Sequence, residues 1–207
     1  MRPLEASTSL AILCRLLGAA FTATVTKTTN RERDSMSRSG AVTFKGTPLT
    51  LAGEAVQVGQ QAPDFTLHFY QDGMNTITLA DLAGKPSIIS VVPSLDTPVC
   101  QIQTKRFSQD LASLGDQVNA LTVSADLPFA QARFCGAEDI TNMRTGSDYQ
   151  TGNFGQSWGM TIEELKLLAR GVFVLDGEGK VVYTQTVSEV TDEPNYESAL
   201  EALKGLL

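Results

Sequence analysis

Apolar positions along the chain fall into short, compact runs separated by turn residues. Val42, Phe44, Leu49 and Leu51 flank Gly46-Thr47-Pro48, a pattern that predicts a β-hairpin. Phe65 and Leu67 alternate with polar neighbours and suggest a short strand. Gly84-Lys85-Pro86 introduces residues 87–92 (SIISVV), a continuous apolar run of the kind buried in a central strand. From Pro98 to about Leu114, the positions of Phe107, Leu111 and Leu114 predict a helix. A second buried run at 118–123 and a short helix around 129–134 follow. The third buried run is residues 171–175 (GVFVL), which Gly177-Glu178-Gly179 turns into an antiparallel partner over 180–187. Tyr196, Leu200, Leu203 and Leu207 share one face of a closing amphipathic helix. Strands alternating with helices, ending in a hairpin and a helix, describe an α/β sandwich on a central sheet.

A chain of 207 residues supplies one core and hardly two. Sixteen Lys and Arg stand against 23 Asp and Glu, a formal net charge of −7, and the acidity argues against nonspecific nucleic-acid binding. The charge is uneven: residues 1–38 carry six basic and three acidic side chains, which leaves −10 on residues 39–207. The basic, Ser/Thr-rich segment 1–38 is read as an extension outside a folded unit spanning 39–207. A transit-type peptide, a poor secretory signal and an upstream extension with Met36 as the working start all remain open for it. Arg15 interrupts its one apolar run and weakens the signal reading, so the Met36 start, with a cytoplasmic protein, is the reading adopted. No run of 18 or more apolar residues exists, so no helix is expected to cross a membrane.

Candidate chemistry concentrates in residues 93–100, PSLDTPVC, where a buried strand gives way to a helix. Ligands in open α/β sheets commonly bind at such strand ends. Proline is favoured in the first helical turn, which makes Pro98 its first residue, Thr97 the N-cap and Cys100 the third helical position. That position holds Glu or Gln in a capping box, facing unpaired backbone N–H groups, so a thiolate is favoured there as a carboxylate would be. A helix terminus supplies only about 0.3–1 kcal/mol, reaching about 2 in good geometry. A nearby cation contributes about 4 kcal/mol at an effective dielectric of 20. Arg170, immediately before GVFVL, is the candidate cation.

Blander readings stand beside these. Cys100 and Cys135 can be small buried hydrophobes, Thr97 a plain N-cap and Arg170 a solvated strand-end charge. Cys14 lies in the extension, and His68, the one histidine, reads as a rim residue on a strand. Three cysteines and one histidine make no convincing zinc site, and Gly84-Lys85-Pro86 lacks the pattern of a phosphate loop.

PSLDTPVC resembles the peroxiredoxin active-site motif, Pro-x-x-x-Thr-x-x-Cys. SADLPFAQARFCGAE (124–138), LLARGVFVLD (167–176) and EPNYESAL (193–200) are similar to the thiol peroxidase branch, the atypical two-cysteine peroxiredoxins. The resemblance covers essentially 42–207 and implies a thioredoxin-like fold with an N-terminal β-hairpin. It implies reduction of hydrogen peroxide and organic hydroperoxides, without metal or organic cofactor, by Cys100 as peroxidatic thiolate, passing through a sulfenic acid. Thr97 would hydrogen-bond sulfur and peroxide, Arg170 would hold the thiolate and polarise the peroxide, and Pro93 would shield the site. Cys135 would resolve the sulfenic acid as an intrachain disulfide, recycled by a thioredoxin-type dithiol. The branch also implies a homodimer.

The two cysteines lie 35 positions apart, and a disulfide needs Cα atoms within about 7 Å. Local unwinding near either one is therefore expected to bring them together. Two other readings compete. A disulfide reductase lacks its C-x-x-C, since Gln101, Ile102 and Gln103 follow Cys100. A redox-responsive module sensing peroxide through a Cys100–Cys135 switch needs no turnover.

Overall fold

The computed structural model describes residues 37–207. Its spine is a seven-stranded mixed sheet of β3 (Thr66–Tyr70), β4 (Met74–Thr78), β5 (Ser87–Val91), β6 (Asn119–Ser124), β7 (Arg144–Ser147), β10 (Gly171–Leu175) and β11 (Val181–Thr186). The spatial order is β11-β10-β5-β6-β7-β3-β4, with β5, β6 and β7 parallel and the remaining pairs antiparallel. Every residue of β5 and β10 is buried, as continuous apolar runs in a central strand require.

Strand pleating divides the core in two. Ile88 and Val92 of the β5 segment, with Val172 and Val174 of β10, face helices α1 (Pro98–Leu111), α2 (Pro128–Ala137) and α4 (Tyr196–Lys204) through Phe107, Leu111, Phe134 and Leu203. Ile89, Val91 and Phe173 face the other way, onto Phe65, Phe154 and Trp158. That face is covered by a second sheet of β1 (Arg38–Phe44), β2 (Thr47–Ala52), β8 (Thr161–Ile162) and β9 (Leu167–Leu168), and by the short α3 (Asn153–Ser157). The α/β class with a mixed sheet flanked by helices and an N-terminal hairpin is the one the sequence predicts.

The differences are local. The hairpin turns on Lys45-Gly46, both with positive φ, while Thr47 and Pro48 already belong to β2. A two-residue turn of this kind matches the strand twist. The carboxylate of Glu189 accepts both turn amides, Lys45 N at 3.0 Å and Gly46 N at 3.1 Å. Hydrogen bonds from the Gly46 amide, the Thr191 and Thr43 hydroxyls and the Lys45 amide hold that carboxyl well below the usual carboxylate range. Helix α1 ends at Leu111, and Leu114 sits in a following turn bonded to the Leu111 carbonyl.

Strands β4 and β7 go unpredicted because little in them is apolar: β4 buries Ile77 alone, and β7 reads Arg-Thr-Gly-Ser. Gly146 earns β7 its place, since a Cβ there would stand 2.8 Å from Leu67 Cδ1. Ser37 and Arg38, read as extension, belong to the fold. Ser37 Oγ donates to Glu163 Oε1 at 2.5 Å, and the Arg38 guanidinium binds the carbonyls of Gly53 and Gly159. Residues 1–36, with Cys14 and Met36, lie outside the described residues.

Candidate active site

Beyond β5 the backbone stays paired through Val92 N to the Val123 carbonyl, 2.9 Å. It then bends at the buried Pro93 into the turn that opens α1. Thr97 is extended, at φ −114° and ψ 145°, and its carbonyl accepts the Gln101 amide at 3.1 Å; Pro98 follows in the first helical turn. Cys100 is thus the third helical residue, and it is fully buried. The Thr97 hydroxyl does not cap a backbone amide. It lies 2.8 Å from Cys100 Sγ and 3.0 Å from the Ser94 carbonyl, and its single proton goes to one or the other.

Arg170 stands between β9 and β10, 2% exposed. Its three nitrogens point to three different acceptors: Nε to the Val190 carbonyl at 3.0 Å, Nη1 to Gln103 Oε1 at 2.7 Å, and Nη2 to Cys100 Sγ at 3.4 Å. No carboxylate among the described residues forms an ion pair with it. A guanidinium cannot shed its charge, and burying it unpaired costs several kcal/mol. Among its hydrogen-bond partners in the described residues, the sulfur is the one that can become an anion. At 3.4 Å and an effective dielectric of 20, attraction to a thiolate is about 5 kcal/mol before desolvation. The buried Gln103 fixes the fork: its Nε2 donates to Ser90 Oγ at 2.8 Å, leaving Oε1 turned toward Arg170.

Cys135 lies in the last turn of α2, half-buried, and packs against the same helix-side core as Cys100. Both are free thiols. Burial pushes the Cys135 thiol up, opposed by a hydrogen bond with the Thr145 side chain. His68 lies on β3, three strands from β5, with its ring edge-on to Tyr149 at 5.7 Å and its Nδ1 buried without a partner among the described residues. The structure therefore brings Cys100, Thr97 and Arg170 into direct contact, with Pro93 on the same connection, and places Cys135 in the neighbouring helix.

Two polar residues at the site escaped the sequence reading. Gln103 is one helical turn past Cys100, so it shares that face, and a Gln there was a readable signal. Asp126 follows β6 at the same sheet edge as the Cys100 turn. Its carboxylate accepts Ser94 Oγ at 2.7 Å and Leu95 N at 2.8 Å. The parallel pairing of β5 with β6 puts the two strand ends side by side, which no local pattern reveals.

The Redoxin family model matches residues 57–200. Over 166 residues the chain is 55% identical to a thiol peroxidase of Bacillus subtilis, covering 80% of this chain and 98% of that protein. It is 48% identical to a thiol peroxidase of Halalkalibacterium halodurans, covering 81% and 99%. Among solved structures, a peroxiredoxin-like protein from Aquifex aeolicus superposes with a TM-score of 0.75 at 39% identity, over 82% of this chain and 98% of that one. A thiol peroxidase from Chromobacterium violaceum, at 18% identity and a TM-score of 0.71 over 79% and 95%, shares the thioredoxin-like fold.

Proposed function

We propose, from the premise that the chain belongs to the Redoxin family, that it is a thiol peroxidase with Cys100 as its peroxidatic residue. The observation that carries the assignment of Cys100 is Arg170, a buried guanidinium whose one ionisable hydrogen-bond partner among the described residues is that sulfur, 3.4 Å away. The thiolate attacks the nearer peroxide oxygen; the O–O bond breaks, and the departing oxygen leaves as alkoxide or hydroxide and takes up a proton. Cys100 becomes a sulfenic acid. Arg170 offers N–H groups to the charge developing on oxygen, held in place beforehand by Gln103 and the Val190 carbonyl. Thr97 is exposed while Cys100 is not, so its hydroxyl marks the approach from solvent and orients sulfur and peroxide. Pro93 closes the inner side of the turn.

Cys135 then attacks the sulfenic sulfur, giving an intrachain disulfide and water. A thioredoxin-type dithiol reduces the disulfide by exchange, which sets the enzyme in a reducing, cytoplasmic compartment. Hydrogen peroxide and organic hydroperoxides both fit this chemistry. The working unit is a homodimer, for which Leu127, Phe129 and Tyr70, exposed with the two rings 5.1 Å apart, offer apolar surface. Residues 1–36 take no part, so a chain beginning at Met36 keeps full activity.

Peroxide consumption coupled to thioredoxin and its reductase tests the assignment. Cys100→Ser is expected to be inactive. Cys135→Ser is expected to consume one equivalent of peroxide and then fail to turn over. Full coupled turnover by either variant would contradict it.

A further inference from the structure

Asp126 joins the turn that leads to Cys100 and the helix that carries Cys135. Its Oδ1 accepts Ser94 Oγ at 2.7 Å, and its Oδ2 accepts Leu95 N at 2.8 Å, both in the turn that leads to Cys100. The same Oδ2 accepts Ser124 Oγ at 2.7 Å. Ser124 Oγ in turn accepts Gln131 Nε2 at 2.8 Å, and Gln131 is the buried polar anchor of α2, the helix that carries Cys135. One carboxylate thus holds the Cys100 turn directly and the Cys135 helix through two further side chains. No Lys or Arg pairs with it among the described residues. Those three donors are its compensation, and charge-assisted bonds of this kind are the stronger ones.

Two details show which way the latch is biased. The Ser94 carbonyl receives the Thr97 amide at 3.1 Å and lies 3.0 Å from the Thr97 hydroxyl, so the position Asp126 gives Ser94 passes to the residue that touches the Cys100 sulfur. On the other arm, Gln131 Nε2 also donates to the Gly146 carbonyl at 3.1 Å, and its Oε1 is buried with no partner among the described residues. A half-satisfied buried amide is a weak anchor, so the α2 arm is the easier one to release.

We propose that Asp126 is a positioning residue that acts on both chemical steps in opposite senses. It favours peroxide attack by fixing the Cys100 turn, and it slows resolution by holding α2 against the sheet. The proposal rests on the assignment of Cys100 and Cys135 made above. In the resolving step the Cys135 sulfur bonds to the Cys100 sulfur, the S–O bond of the sulfenic acid breaks, and the oxygen leaves with the thiol proton as water. The step needs no further oxidant.

The test is single-turnover oxidation of the reduced full chain by hydrogen peroxide, quenched in time and resolved by mass into thiol, sulfenic, sulfinic and disulfide forms. In Asp126→Asn, sulfenic acid formation is expected to slow and disulfide closure to quicken, each by about tenfold, the scale of one charge-assisted hydrogen bond. Less sulfinic acid should accumulate at high peroxide. Ser94→Ala cuts only the Cys100 arm and is expected to slow sulfenic acid formation by less, while Ser124→Ala cuts only the α2 arm and is expected to quicken closure by less; together they carry the test if Asp126→Asn does not fold. Closure that is unchanged or slower in Asp126→Asn or Ser124→Ala, or both steps slowed together as in a generally loosened fold, would overturn the proposal. A wild-type chain that forms no Cys100–Cys135 disulfide would overturn the assignment beneath it, and that result appears without any variant.

Discussion

At Cys100 three unrelated local facts meet on one sulfur atom: a helix start, a threonine hydroxyl at 2.8 Å and a buried guanidinium at 3.4 Å. The first was legible in the chain, because Thr97-Pro98 fixes the helix start and counting does the rest. Arg170 was legible only as a cost, a charge at the mouth of an apolar strand that needed an anion. Gln103 was not read, since its role depends on Ser90, a strand residue thirteen positions away. These contacts make a sharp expectation for Arg170→Met. The apolar side chain fills similar space and relieves a buried charge, so stability should hold or rise in urea unfolding. The rate of peroxide reduction should fall at least about a hundredfold, roughly 2.7 kcal/mol of lost transition-state stabilisation. A variant that unfolds yet keeps its rate per folded molecule would reverse that ranking.

Helices and strands decide whether those side chains are held. Helix α1 carries Cys100 at one end and Phe107 two turns on, with Phe107 fully buried and its ring 5.1 Å from that of Tyr196 at the start of α4. Phe107→Ala is expected to cost about 3–5 kcal/mol in urea unfolding, the usual scale for emptying a large aromatic site. A loss below 1 kcal/mol would mean that α1 is not held by this contact. The hairpin has a reach of its own: Glu189 binds its turn, Val190 N donates to the Thr43 carbonyl, and the Val190 carbonyl takes Arg170 Nε. An N-terminal hairpin was readable from Val42 to Leu51. Its link to Arg170 was not, because it joins segments about 145 residues apart. Strand β7 was hidden for a related reason, since its fit depends on the missing Cβ of Gly146 against Leu67.

For the molecule as a whole, the layered α/β plan followed from three apolar runs and two amphipathic helices, and the order of strands followed from topology that sequence spacing does not encode. Protonation couples site to stability. The Cys135 thiol is raised by burial, so the native chain keeps a proton that the unfolded chain releases at a lower pH. Below the ordinary thiol value both states hold it and stability is flat in this respect; above that value stability falls as pH rises, until the native thiol ionises too. Urea midpoints across this alkaline range should fall more steeply for the wild type than for Cys135→Ala, and equal slopes would remove the effect. The central claim is that Cys100 is the group that meets peroxide because the buried Arg170 guanidinium and the Thr97 hydroxyl converge on its sulfur. Its most direct test is the rate at which the reduced chain and its Arg170→Met variant consume stoichiometric hydrogen peroxide near neutral pH. A wild-type rate far above that of free cysteine, lost in the variant, is the result predicted; a wild-type rate no faster than free cysteine, or a variant that keeps the wild-type rate, would contradict it.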